Sequence, residues 1–152
     1  MKFAVDIKKI QDDLIVIGGD NIFEGSLNKF VSFAAKSKSP AIGVYDIKDK
    51  REAANYGVVK LGRFKAIVDF QEKPKKPNST LVAMCLYYFP KESLGLLKDY
   101  ARANKHKHDA TGFYIGWLRK RVSVYGFEFP GHWFDIGDHK YYKQANKRLS
   151  QN

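Results

Sequence analysis

The chain passes from strand to loop at Leu14-Ile15-Val16-Ile17-Gly18-Gly19-Asp20-Asn21, an apolar run that ends in two glycines and a carboxylate. The run predicts a buried strand, and the glycines, which lack a Cβ, allow a tight turn and the close approach of a ligand. Ligands of α/β sheets bind beyond the carboxyl ends of parallel strands. Asp20 is therefore a candidate ligand of Mg²⁺, which prefers carboxylate oxygens. The alternative at this point is a plain turn in which Asp20 caps the following helix.

The size and composition of the chain indicate a single domain over residues 1–152 with a core of its own. Hydrophobic residues make up 44% of the 152, which excludes a largely disordered chain. The single cysteine, Cys85, allows no internal disulfide and no zinc cluster, so we expect a reducing, cytoplasmic location. No apolar run approaches the ~18 residues of a membrane span, and Asp6 interrupts the N-terminus before a signal-peptide core forms. We therefore expect no membrane partner.

The charge of the chain favours anionic partners, because 27 Lys and Arg face 16 Asp and Glu and give a formal net charge of +11. The basic residues are scattered and form no single helical stripe. The sequence carries no zinc-finger, helix-turn-helix or RNA-recognition signature. We therefore expect most of this charge to lie on a solvated surface, and nucleic acid is not an expected partner.

Hydrophobic periodicity predicts helices that alternate with strands. The predicted helices cover about 2–11, 26–37, 90–103, 110–120 and 138–149, and the predicted strands cover about 13–18, 41–47, 57–61, 66–71, 81–89 and 121–129. Ser26 and Asp138 are the predicted N-caps of the second and last of these helices, and Gly62-Arg63 predicts a hairpin turn. The order of elements predicts an α/β fold: a mainly parallel, Rossmann-like sheet with helices on both faces and an antiparallel β insertion.

A Glu-Lys pair follows a predicted strand in Phe70-Gln71-Glu72-Lys73-Pro74. Pro74 predicts an extended backbone at Lys73, because a proline disfavours the helical region for the residue before it. A carboxylate accepts hydrogen bonds from hydroxyl groups and an ammonium group meets phosphate, so the pair suits a phosphorylated, hydroxyl-rich ligand. The alternative is an ordinary strand end with two exposed charges.

A second carboxylate lies among apolar residues in Trp133-Phe134-Asp135-Ile136-Gly137, between the last predicted strand and the last predicted helix. A partly shielded carboxylate needs a partner. A metal ion is one such partner and the N-terminus of a helix is another. These residues alone leave both choices open.

Taken together, the motifs resemble those of the sugar-phosphate nucleotidyltransferases, the NDP-sugar pyrophosphorylases that include glucose-1-phosphate thymidylyl- and uridylyltransferases. Their order and spacing fit over nearly the whole chain. The segments that carry the resemblance are Gly19-Asp20-Asn21, Asn55-Tyr56-Gly57-Val58-Val59, Phe70-Gln71-Glu72-Lys73-Pro74, Leu86-Tyr87-Tyr88-Phe89 and Trp133-Phe134-Asp135-Ile136-Gly137. The resemblance implies an incomplete nucleotide-diphospho-sugar transferase fold, with residues 1–152 corresponding to the C-terminal two-thirds of that domain.

The resemblance also implies a metal-assisted nucleotidyl transfer. In the family, an oxygen of a sugar 1-phosphate attacks the α-phosphorus of an NTP and pyrophosphate leaves, so positioning and charge neutralisation dominate. The expected substrates are dTTP or UTP and glucose 1-phosphate. Carried over to this chain, Asp20 and Asp135 would be the Mg²⁺ carboxylates, Lys73 would hold the sugar phosphate, and Glu72 would bind sugar hydroxyls.

The remaining residues implied by the resemblance line the substrate pocket. They are Gly19, Asn21, Tyr56, the backbone of Gly57, Tyr87 and Trp133. Cys85 departs from the family, which often has glycine two residues before the tyrosine that matches Tyr87. Its side chain would crowd the floor of the pocket and affect the choice of sugar.

A larger departure concerns the triphosphate. Members of the family carry a loop of the form G-x-G-T-R-L-x-P and a Pro-Lys pair that hold the NTP, and nothing in this sequence matches them. We therefore expect a homo-oligomer or a partner chain that supplies the missing N-terminal segment. The alternative function is a non-catalytic sugar-phosphate-binding or regulatory subunit.

Overall fold

A computed structural model describes residues 2–103, 110–137 and 139–150. The helices are α1 (Lys2–Ile7), α2 (Leu27–Ser37), α3 (Lys50–Ala53), α4 (Leu94–Ala103), α5 (Thr111–Leu118) and α6 (His139–Leu149). The strands are β1 (Leu14–Ile17), β2 (Asn21–Phe23), β3 (Ala41–Asp46), β4 (Gly57–Leu61), β5 (Ile67–Glu72), β6 (Leu81–Phe89), β7 (Tyr125–Glu128) and β8 (Trp133–Asp135). Short 3₁₀ turns cover Arg63–Lys65 and Lys91–Ser93.

The main sheet has the strand order β5-β4-β6-β3-β7, and β1 pairs with β6 beside this path. The α/β class is confirmed, but the expected mainly parallel pairing is wrong. Among the described strands only β3 and β7 pair in parallel, while β6 runs antiparallel to β1, β3 and β4, and β4 antiparallel to β5. The reason is that β6 lies between β1 and β3. The predicted unit β1-α2-β3 does run in one direction, but local sequence signals cannot reveal a later strand inserted between its two strands.

Alternation along β6 separates two apolar clusters on opposite faces of the sheet. Val82, Met84, Leu86 and Tyr88 belong to one cluster, together with residues of α2 and α3. Tyr87 and Phe89 belong to the other, together with residues of α1, α4 and α5. The sheet is therefore covered by helices on both faces, as the sequence predicted.

Local signals account for several of the element boundaries. The hydroxyl of Ser26 accepts from the backbone N–H of Lys29 at 3.4 Å, which confirms the predicted N-cap of α2. The predicted hairpin is also confirmed, since the N–H of Gly62 donates to the carbonyl of Ala66 at 2.8 Å between β4 and β5. Helix α1 ends at Ile7 and not at residue 11 as predicted. Two residues later Lys9 adopts a left-handed backbone conformation, which is common just after the end of a helix. Asp138, the predicted cap of α6, lies outside the described residues.

None of the helices within the described ranges has the length and apolar character that a membrane span requires.

Candidate active site

The short strands β2 and β8, which the sequence did not predict, form a separate antiparallel pair. Its register places Asn21 opposite Asp135 and Phe23 opposite Trp133. The pairing continues beyond the strands, because the N–H of Ile136 donates to the carbonyl of Asp20 at 2.8 Å. Asp20 directly precedes β2 and Asp135 ends β8, so the two predicted metal carboxylates lie at the same end of this pair.

The carboxylates of Asp20 and Asp135 face the same space. Asp135 Oδ1 and Asp20 Oδ2 lie 3.3 and 3.5 Å from the point that a Cβ on Gly137 would occupy. The other oxygen of Asp20 accepts from the Asn21 amide at 2.8 Å, and Asp135 Oδ1 accepts weakly from the Gly137 N–H at 3.3 Å. Each carboxylate therefore retains lone pairs for a further partner.

A cavity of about 230 Å³ opens between these carboxylates, the start of β4, the end of β5 and the middle of β6. It is lined by all the predicted site residues except Gly19, namely Asp20, Asn21, Tyr56, Gly57, Glu72, Lys73, Tyr87, Trp133 and Asp135. Gly19 does not belong to the lining, and a Cβ on it would meet nothing within 4 Å. Gly19 forms part of the turn after β1 and does not contact the pocket.

Lys73 enters the cavity from a tight turn, and its expected extended backbone is wrong. Its φ is +44°, in the left-handed region. The register of the hairpin pairs Gly57 with Glu72, so the next residues face each other and the Lys73 N–H donates to the Tyr56 carbonyl at 3.0 Å. This hydrogen bond between the hairpin strands outweighs the preference that Pro74 imposes locally.

Glu72 is half-buried in the wall of the cavity beside Lys73. Burial raises the pKa of Glu72 above its ordinary value, and the neighbouring Lys73 ammonium opposes this rise. Its Oε2 atom lies 3.2 Å from the point that a Cβ on Gly57 would occupy. A partly desolvated carboxylate of this kind suits hydrogen bonds from hydroxyl groups.

Aromatic side chains form a second wall next to the carboxylates. Trp133 is buried, and its indole N–H donates to the Asn21 side-chain oxygen at 2.7 Å. The Tyr56 ring packs edge-on against Trp133 with centroids 5.3 Å apart. Burial, and then the charge of Asp135, raises the pKa of Tyr56 far above its ordinary value, so its hydroxyl stays protonated. These rings offer an apolar surface bordered by polar groups, which suits a sugar ring.

The floor of the cavity contains Tyr87 and Cys85. Cys85 has a φ of +51°, a conformation that glycine adopts without strain and other residues rarely adopt. Its carbonyl accepts from the Gly18 N–H at 2.9 Å. Burial raises the pKa of the Cys85 thiol, the contact with Tyr87 opposes this, and the charges of Asp20 and Asp135 raise it further. The thiol is therefore neutral and contributes volume to the floor.

Four lining residues had no signal in the sequence: Ala83, Ala110, Thr111 and Gly112. Three of them precede or begin α5, which reaches the cavity because it packs on β5. Small residues at the start of a helix carry no chemical signature. Only the tertiary packing brings them to the site.

The metal-binding side chains beside the cavity suit a magnesium ion that also binds water or substrate. Within 2–103, 110–137 and 139–150 there is no group of three or more His, Cys, Asp or Glu side chains arranged to hold a metal ion. Asp20 and Asp135 supply two hard carboxylates. Mg²⁺ commonly takes one or two protein carboxylates together with water and substrate phosphates, so the two residues fit that ion.

Known proteins with similar sequences belong to one family. The family described as "Nucleotidyl transferase" matches residues 1–152. The chain is 31% identical over 140 residues to "Bifunctional protein GlmU" of Methanocaldococcus jannaschii, covering 92% of this chain and 32% of that protein. It is 31% identical over 144 residues to a glucose-1-phosphate adenylyltransferase of Geobacillus stearothermophilus, covering 91% and 36%. The chain thus spans about a third of the length of these curated relatives.

A solved structure from Bacillus anthracis, assigned to glucose-1-phosphate thymidylyltransferase, shares the fold. It superposes with a TM-score of 0.79 over 97% of this chain and 58% of that one. The sequence identity is 23%, so this likeness concerns the fold alone.

Proposed function

Since the chain belongs to the nucleotidyl transferase family, we propose that it forms the sugar-phosphate half and the metal-binding edge of an enzyme that transfers a nucleotidyl group to a sugar 1-phosphate. One observation carries the proposal. Asp20 and Asp135 on the β2–β8 pair line the same cavity as Glu72 and Lys73 at the end of the β4–β5 hairpin. The cavity therefore combines a place for a divalent cation with groups for a phosphate and for hydroxyls.

Asp20 and Asp135 would hold Mg²⁺, which neutralises phosphate charge when it is bound. The register between Asn21 and Asp135 fixes the backbone positions from which both carboxylates project. Preorganised charges of this kind need little rearrangement during the reaction.

Lys73 would hold the phosphate of the acceptor, and Glu72 would accept hydrogen bonds from sugar hydroxyls. Glu72 ends β5 and Lys73 follows it directly, so their separation is set by the backbone of the hairpin. Tyr56, Tyr87 and Trp133, with Asn21 and the Gly57 backbone, would enclose the sugar ring. Holding the acceptor at a defined distance from the donor phosphate is the main task left to the protein in such a transfer.

The proposed acceptor is glucose 1-phosphate and the proposed donor is dTTP or UTP. Relatives named as adenylyltransferases support ATP as a further donor. The titrations that test the proposal therefore include ATP as well as dTTP and UTP. A cytoplasmic location is part of the proposal, because free Cys85 suits a reducing compartment.

A second polypeptide or a second copy of the chain is proposed at the free edge of β1. Ile15 and Ile17 are 37% and 45% exposed, and β1 pairs with β6 alone among the described strands. An open strand edge with exposed apolar side chains favours association. A non-catalytic sugar-phosphate-binding or regulatory subunit is the alternative function if no transfer occurs.

Calorimetry and a pyrophosphate assay test the proposal together. Glucose 1-phosphate is titrated into the chain with Mg²⁺, and dTTP, UTP and ATP follow in separate titrations. Saturable sugar-phosphate binding supports the site, and pyrophosphate release with both substrates establishes the enzyme. Sugar-phosphate binding without NTP binding favours the binding subunit, and no binding of either ligand contradicts both functions.

Lys73→Ala provides the matched variant for this test. We expect it to weaken glucose 1-phosphate binding by ~1.5–3 kcal/mol, as for other charge-assisted contacts. Lys75→Ala is the control, since Lys75 lies two positions further along and outside the lining of the cavity. Equal affinity of the two variants removes Lys73 from the site.

A further inference from the structure

Gly112 lies in the first turn of α5, where its missing side chain leaves room for Glu72. A Cβ built on Gly112 would fall 1.6 Å from Glu72 Oε2 and 2.6 Å from Glu72 Cδ. Real Cβ atoms essentially never approach another heavy atom within 3.0 Å. The Glu72 carboxylate thus occupies the volume that any side chain at residue 112 would need.

A second glycine borders the same oxygen from the neighbouring strand. A Cβ on Gly57 would lie 3.2 Å from Glu72 Oε2, and Gly57 is the register partner of Glu72 in the hairpin. The carboxylate therefore lies between two backbone segments, one in β4 and one in α5. We call this arrangement of Gly57, Gly112 and Glu72 the glycine slot.

Backbone conformation does not explain the glycine at position 112. Among the described glycines only Gly131 has a positive φ. Glycine inside a helix costs about 0.5–1 kcal/mol relative to alanine. The contact with Glu72 supplies a reason for this residue that helix propensity does not.

The other end of α5 is tied to β5, so the helix cannot shift easily to accept a larger residue. Just beyond the helix, the Arg119 guanidinium donates to the Val68 carbonyl and to Asp69 Oδ1, both at 3.0 Å. Val68 and Asp69 lie in β5, the strand that ends in Glu72. A methyl group added at Gly112 would therefore displace the flexible Glu72 side chain.

We propose that Gly112 is a positioning residue of the acceptor pocket, which holds the Glu72 carboxylate where it accepts hydrogen bonds from the sugar. This inference rests on the proposed function, since it assigns Glu72 to sugar hydroxyls. It adds α5 to the elements that determine sugar binding. The alanine variant keeps the fold and loses the placement of one carboxylate.

Five forms of the chain test this role: the unchanged protein, Gly112→Ala, Gly116→Ala, Glu72→Ala and the double variant Glu72→Ala/Gly112→Ala. Gly116 is the matched control, because it lies one turn further along α5 and its Cβ would contact Phe70 at an ordinary 3.8 Å. Affinities for glucose 1-phosphate and for inorganic phosphate are measured by calorimetry with Mg²⁺, and thermal unfolding is recorded for each form.

The expected result is a loss of glucose 1-phosphate affinity of about tenfold or more in Gly112→Ala, as when a hydrogen bond to a charged group is removed. Inorganic phosphate affinity and the unfolding temperature stay close to those of Gly116→Ala. In the Glu72→Ala background, Gly112→Ala has no further effect, because the two changes act through one side chain. Equal sugar-phosphate affinity of Gly112→Ala and Gly116→Ala, or an additive loss in the double variant, overturns the inference.

Titration of the Glu72 carboxyl by NMR decides the inference independently of ligand binding. If Gly112→Ala displaces the side chain towards solvent, the pKa of Glu72 moves back towards its ordinary value, while Gly116→Ala leaves it unchanged. An unchanged Glu72 pKa in Gly112→Ala overturns the positioning role. Absence of glucose 1-phosphate binding in the unchanged protein contradicts the proposed function. In that case the NMR titration still shows whether Gly112 determines the position of the Glu72 carboxylate in the glycine slot.

Discussion

Asn21 lies directly opposite Asp135 in the two-stranded sheet of β2 and β8, and this register brings two distant parts of the sequence to one end of the cavity. Asp20, the residue before Asn21, gains its position from the same pairing, since its carbonyl accepts from the Ile136 N–H. Two strands of three residues each therefore position both candidate metal ligands.

Replacing either carboxylate with an amide tests the metal site. We expect Asp20→Asn and Asp135→Asn each to weaken Mg²⁺-dependent binding of the sugar phosphate strongly, because a neutral amide replaces one of the two anionic ligands. The unfolding temperature changes little, since both side chains lie at the edge of an open cavity. Metal titration by calorimetry measures the effect.

Asp99→Asn is the control for this pair of variants. Asp99 lies on α4 outside the lining of the cavity and forms an exposed pair with Arg102 at 3.7 Å that contributes little stability. Metal binding in Asp20→Asn that equals binding in Asp99→Asn would contradict the assignment of Asp20.

The hydrogen bond between Trp133 and Asn21 links β8 to β2 through side chains. We expect Trp133→Phe to lower the free energy of unfolding by about 1 kcal/mol, since it removes one buried donor and leaves an aromatic ring in place. Asn21→Ala alone should cost a similar amount, and the double variant should cost less than the sum. Urea denaturation followed by circular dichroism measures all three, and strict additivity would show that the two side chains do not interact.

Cys85 on the floor of the pocket tests how volume affects the acceptor. Cys85→Gly relieves a left-handed backbone at a non-glycine residue, worth about 1 kcal/mol, but adds a similar entropic cost in the unfolded chain. We expect stability to stay nearly constant while sugar phosphates larger than glucose 1-phosphate gain affinity. Competition binding with a series of sugar 1-phosphates measures the change, and Cys85→Ser, which keeps the volume, should retain the original preference.

The buried carboxylate of Glu72 predicts a pH dependence of sugar binding. Burial raises the Glu72 pKa, so this group takes up a proton at a higher pH than an ordinary glutamate does. The part of the affinity that Glu72 contributes should therefore fall as the pH drops through that raised pKa, because only the carboxylate accepts hydrogen bonds from hydroxyls on both oxygens. Calorimetry across pH measures this, and in Glu72→Gln we expect weaker binding without that step.

The predictions from the sequence differ most from the structure at positions where segments far apart in the chain come into contact. The Phe70–Pro74 motif identified Glu72 and Lys73, which line the cavity. The expected backbone at Lys73 was nevertheless wrong, because its N–H donates to the carbonyl of Tyr56, which lies just before β4 and far away in the sequence. Gly112 gave no signal at all, since its role depends on a helix packed against β5. The assigned roles of the site residues stay predictions until the variants above are measured.

The α/β class, the N-cap at Ser26, the β4–β5 hairpin and the motifs of the family could all be predicted, because each depends on residues close together in the chain. The folded chain was needed to show that β6 separates β1 from β3, that Asn21 pairs with Asp135, and that Gly112 adjoins Glu72. These relationships join segments far apart in sequence. They depend on side-chain packing and strand pairing across the whole fold, which local sequence patterns do not predict.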